Sequence, residues 1–197
     1  MEFSIDWLKP EKMRAICAVI VSGMAAFFLT VGFSDQMPMA EWFYNLENSI
    51  LVPLSSLNLV FHEAGHWIFG ILGIRFITVA GGTLMQLVFP TACWMNFLFI
   101  QKSLGGVLFS IFWLGENFME ISWYMADAKV QALILISGMS GREGGGHDWG
   151  NMLGWLGLTD HCVGMAQVVQ WCGLSLFIFP LPFLLMVLWI RFVKATS

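Results

Sequence analysis

Apolar residues in this chain come in long, nearly unbroken runs. The first covers residues 15–33 and is preceded by Lys9, Lys12 and Arg14. A second covers 50–74 and is closed by Arg75; a third, 76–101, is closed by Lys102. A fourth covers 104–126 and ends at Asp127 and Lys129, and a last one, 165–190, is followed by Arg191 and Lys194. A helix that crosses a bilayer core needs about 20 mainly apolar residues. The pattern therefore predicts an all-α polytopic membrane helix bundle, one domain over residues 1–197. Between the first two runs, residues 34–48 carry Asp35, Glu41 and Glu47 together with Trp42, Phe43 and Tyr44, a mixture suited to the membrane interface.

Two stretches interrupt the pattern. Gly81 and Gly82 make residues 76–82 a poor helix, so a re-entrant or extended loop is expected there, with a helix over 83–100 bent at Pro90. Residues 130–138 are apolar but too short to span, 140–146 read SGREGGG, and His147, Asp148 and Trp149 precede a weakly apolar stretch to Leu158. If basic flanks lie in the cytoplasm, both chain ends do, and the number of crossings is even. Residues 130–162 would then supply an imperfect fifth crossing of six; five crossings with a re-entrant segment is the alternative.

Composition agrees with this picture. Of 197 residues, 58% are hydrophobic and 11% charged, where soluble domains average roughly 45–50% and about 25%. The net charge of −4 comes with no basic patch, which excludes a nucleic-acid partner. Cys17, Cys93, Cys162 and Cys172 form no CxxC pair, so neither a disulfide framework nor a cysteine zinc site is expected.

The chemistry centres on residues 61–70, FHEAGHWIFG. Residues four apart share a helix face, so His62 and His66 can reach one metal ion, and neutral imidazole is a good zinc ligand. Glu63 is placed to take a proton from a coordinated water. Ionisable groups inside a spanning segment are costly and point to function; the plain alternative is a polar cluster bonding neighbouring helices. Haem is excluded, because two histidines four apart on one helix cannot take opposite faces of an iron. A third ligand must come from another segment. Asp148 is the first choice and His147 the second, as a ligand or as a partner to one; the competing reading of the pair is an interfacial loop beside Trp149. His161, Asp160, Asp127, Glu116 and Glu120 are further candidates. Glu116 and Glu120 share a face of the fourth run, Asn117 could orient substrate or stabilise an oxyanion, and Asp127 reads as a helix-end cap.

The HEAGH motif within an apolar helix resembles the site-2 protease family of intramembrane zinc metallopeptidases. The family's usual Leu-Asp-Gly is absent from this chain. The chain looks instead like a small bacterial branch with Gly-Gly-x-x-x-Gln (Gly81, Gly82, Gln86), Tyr-x-x-Asp-Ala (Tyr124, Asp127, Ala128) and His-Asp-Trp (His147, Asp148, Trp149). The resemblance covers residues 61–153. It implies one zinc ion per chain held by His62 and His66, Glu63 as catalytic base, and a membrane-embedded protein substrate. It also implies a bacterial inner membrane location, with the N-terminus cytoplasmic from the basic flank. Gly81, Gly82, Gln86 and Asn117 are the expected substrate or oxyanion contacts, with the glycine segment pairing to extended substrate as an added strand. A catalytically inactive zinc-binding scaffold, or a metal or proton transporter using Glu116 and Glu120, are the alternatives. Oligomeric state is left open.

Overall fold

The computed structural model describes residues 51–144, 146–183 and 186. The expected first helix, the interfacial segment after it and both basic chain ends lie outside the described residues. Those described are mostly helical, and no strand forms among them beyond an isolated bridge between Ile134 and Ser140.

Helix α1, Val52–Gly70, starts with a proline in its first turn, where no intrahelical N–H is needed. Helix α2, Arg75–Met95, continues through Pro90 into a wide turn at Asn96–Ile100. Helix α3, Leu104–Ala126, is capped by the Ser103 hydroxyl, which accepts from the Gly106 N–H. Helix α4, Asp148–Leu156, has nine residues and ends at Gly157, whose φ of 68° is left-handed. A short turn, Thr159–His161, leads into α5, Cys162–Ile178. Two stretches, Arg75–Ile100 and Thr159–Phe183, are long and apolar enough to cross a membrane.

The loop or re-entrant segment expected at residues 76–82 does not form. Arg75–Met95 is one helix, and Gly81 and Gly82 are buried inside it. The glycines serve packing instead of a turn. A Cβ on Gly65 would lie 2.1 Å from the Gly81 oxygen, so the α1 and α2 backbones touch there. The same device joins α3 to α5, where a Cβ on Gly115 would lie 2.3 Å from the Phe177 nitrogen.

The helices run antiparallel. Along α1 and α2, Gly70 faces Thr78, Gly65 faces Gly81 and Phe61 stacks on Phe89. Along α3 and α5, Phe112 packs on Phe177, Gly115 faces Phe177 and the Cys162 thiol meets the Ala126 carbonyl. Helix α3 also meets α2 at Trp113 and Phe89. The interior holds Asn58, Gln86, Glu116 and Asn117, whereas Val60, Trp67 and Ile71 are 63%, 83% and 85% exposed. Apolar outside and polar inside is the distribution a hydrocarbon surrounding favours.

The crossing expected from residues 130–162 is not formed. Nine residues of α4 rise about 14 Å, about half of a bilayer core. Lys129 and Asp160 form an exposed ion pair at 2.7 Å, and the Asp160 carboxylate raises the Lys129 ammonium above its ordinary range. With Cys162 against Ala126, the segment leaves and rejoins the bundle at one end. Its start is fixed by the Asp127 carboxylate, which accepts from the N–H groups of Ala132 and Leu133. Asp127, expected as a solvated helix-end cap, instead turns its carboxylate, mostly buried, to this loop, and the segment folds back to insert α4 against α2 and α3.

Candidate metal centre

The inserted segment brings Asp148 to the two histidines. Its Oδ2 lies 2.9 Å from His62 Nε2 and 3.2 Å from His66 Nε2. Their ligand atoms all fall within 4.8 Å of one another, the one group of three metal-ligating side chains found among the described residues. The expectation of Asp148 as third partner of the histidine pair agrees with this geometry.

The tautomers are set from behind. His66 Nδ1 is 2.9 Å from the Thr78 carbonyl. A carbonyl only accepts, so that nitrogen carries the proton, and in the neutral ring Nε2 presents a lone pair. His62 Nδ1 is 3.2 Å from Gln86 Oε1, while the Gln86 amide N–H donates to Glu120 Oε2 at 2.7 Å. The carboxylate thereby fixes which way the Gln86 amide faces, and again leaves a lone pair on His62 Nε2. A shared metal ion, or protons on Nε2 that pair the imidazoles with Asp148, answers this convergence; with both rings neutral, two nitrogens and one carboxylate oxygen are a donor set that zinc accepts with a position left open. The three side chains keep 11%, 22% and 12% of their surface exposed, which leaves a way in.

Gly82 makes room for this convergence. A Cβ there would lie 2.6 Å from His62 Nε2 and 2.7 Å from His66 Nε2. Its expected role as a strand partner for substrate does not hold, because the residue is buried in α2 against the imidazoles. Gly81 is likewise in the helix contact and not on an open edge.

His147 is not in the ligand group. Its Nδ1 accepts the Gly150 N–H, capping α4. Its Nε2 lies 3.3 Å from Asp127 Oδ2 without hydrogen-bond alignment. It holds the N-terminus of α4 in place and so acts behind Asp148. Tyr124 completes that support: its hydroxyl accepts the Asp148 N–H at 2.9 Å, and its ring lies 4.3 Å from that of His147. Glu63, next to His62 in the chain, is half-buried, and its charge acts on His66 and Tyr124.

Gln86 and Asn117, expected at substrate, face inward. Gln86 is engaged by His62 and Glu120; the Asn117 amide donates to Asn58 Oδ1 and the Trp113 carbonyl. Asn58 in turn donates to Glu116 at 2.7 Å and to Glu120 at 2.8 Å, and accepts from the Trp113 indole. Asp160 pairs with Lys129, and Cys93, Cys162 and Cys172 are free thiols outside the group.

Sequence reading missed Asn58, Thr78 and the linked roles of Gln86 and Glu120. One signal was present. Asn58, His62 and His66 fall at four-residue spacing, as do Glu116, Glu120 and Tyr124, so each set forms a polar stripe on one helix face. No protein-family model, curated protein or solved structure matches this chain.

Proposed function

We propose that the protein is a polytopic intramembrane zinc metallopeptidase that hydrolyses peptide bonds of membrane-embedded protein substrates. It would reside in the inner membrane of a bacterium with its N-terminus in the cytoplasm. The observation that carries the reading is the convergence of His62 Nε2, His66 Nε2 and Asp148 Oδ2, with Glu63 following His62 in the chain.

His62, His66 and Asp148 would hold the ion. When bound, zinc lowers the pKa of a coordinated water towards about 7 and polarises a carbonyl. The chain's own residues supply the remainder. Glu63 takes up the proton lost by the attacking water and returns it to the leaving amine, serving first as base and then as acid. Thr78 and Gln86 hold the imidazoles in the ligating tautomer. The apolar outer faces of α1 and α2 keep bulk water from the site, and a substrate helix reaches it through the bilayer after local unwinding. Glu116 and Glu120 are tied to Asn58 and Gln86 by hydrogen bonds behind the histidines, which gives them a supporting role at the centre in this reading.

The test uses full-length protein in nanodiscs, zinc-loaded, with single-span membrane peptides as substrate and mass spectrometry of the products. Wild type should cleave. Glu63→Gln should keep one zinc per chain and lose turnover by at least about 100-fold, the lower end for a positioned acid–base group. Cleavage by the zinc-loaded Glu63→Gln protein, or wild type that binds no metal, would overturn the reading.

A further inference from the structure

The ligand nitrogen of His62 is oriented by residues that never approach the metal position. Gln86 Oε1 faces His62 Nδ1 at 3.2 Å, Gln86 Nε2 donates to Glu120 Oε2 at 2.7 Å, and Asn58 Nδ2 donates to the same Glu120 oxygen at 2.8 Å. An amide can be turned over at almost no steric cost, since its oxygen and nitrogen are nearly isosteric. Turned over, Gln86 would present N–H groups to His62 Nδ1. The imidazole would then have to carry its proton on Nε2, the atom needed as ligand. What prevents this is the Glu120 carboxylate, which only accepts. It draws the amide N–H groups to itself and leaves the carbonyl for the histidine.

Glu120 itself is fixed from a third helix. Asn58 on α1 bridges Glu116 and Glu120 of α3, and its own oxygen is held by the indole N–H of Trp113 and the amide of Asn117. Asn58, Glu116 and Asn117 are all essentially inaccessible. In such surroundings each hydrogen bond is strong and each misplaced donor costly.

We propose that Glu120 is a positioning residue for the metal centre, acting through the Gln86 amide to keep His62 in its ligating tautomer. The inference rests only on the metal-binding part of the proposed function and is indifferent to whether the centre hydrolyses peptides. Residues behind a metal-bound histidine commonly set affinity by about 10- to 100-fold.

The test is a thermodynamic cycle on zinc affinity, measured on full-length protein in nanodiscs by competition with a fluorescent chelator. Gln86→Met keeps the shape and removes the amide; Glu120→Leu removes the acceptor. Each should weaken zinc binding about 10- to 100-fold, and the double variant should lose no more than either single one, because Glu120 works through Gln86. Glu120→Gln should restore affinity to within about threefold of wild type, since its carbonyl oxygen still accepts from Gln86 and Asn58. A generally loosened protein would instead show additive losses and no rescue. Wild-type affinity in Gln86→Met, additive losses in the cycle, or failure of Glu120→Gln to recover binding would each overturn the proposal. Should wild type bind no zinc, the proposed function fails first, which separates the two outcomes.

Discussion

Gly82→Ala adds one methyl group at the place where it should do most damage. The new Cβ would sit 2.6 Å from His62 Nε2 and 2.7 Å from both Cε1 and Nε2 of His66. Ordinary carbon contacts lie near 3.5–4.0 Å, so the overlap is about 1 Å with each ring. Parting the backbones to relieve it would give up the close Gly65–Gly81 contact between α1 and α2 in the adjoining residues. Rotating the rings instead breaks the bonds from Nδ1 to Gln86 and Thr78. Overpacking of this kind costs about 1–3 kcal/mol, and two lost hydrogen bonds add about 2 kcal/mol. A total of about 3–5 kcal/mol corresponds to roughly 100- to 4,000-fold at 1.4 kcal/mol per decade. Chelator competition on the purified protein measures it directly. Gly164→Ala is the control, because a Cβ there meets nothing within 4 Å, and it should bind zinc as wild type does. Zinc affinity in Gly82→Ala within about twofold of wild type would refute the placement of the ligand atoms.

Two further substitutions separate ligation from support and packing. Asp148→Ala should abolish stoichiometric zinc, whereas His147→Ala should retain it while lowering thermal stability by about 1 kcal/mol through the lost cap on α4; equal zinc loss in both would make His147 a ligand. Gly65→Ala, whose methyl would lie 2.1 Å from the Gly81 oxygen, should force α1 from α2 and lower the melting temperature by more than Gly82→Ala does. A melting temperature in Gly65→Ala equal to wild type would show that the two backbones are not in contact.

The sequence by itself determined the all-helical class and the pairing of His62 with His66 on one helix face, but not every element, since residues 75–95 form one helix and 130–162 make no crossing. Long apolar runs require helices, because a chain in hydrocarbon must satisfy its backbone within each segment. Four-residue spacing puts His62 and His66 on one face whatever surrounds them. Asp148 was nominated by its chemical type and its neighbours, without any means of showing that it arrives. Only the tertiary structure decided that it does, since its approach depends on Lys129 meeting Asp160, on Asp127 anchoring the loop and on Tyr124 receiving the Asp148 N–H. The same holds for Gly81 and Gly82. In one dimension a glycine pair weakens a helix; in three it allows a neighbouring helix to come close, and propensity yields to packing. Gln86, Glu120 and Asn58 lie on three different helices, and no local pattern encodes a hydrogen bond between residues 34 or 62 positions apart. Periodicity fixes which face a residue occupies, and helix packing alone fixes what that face meets.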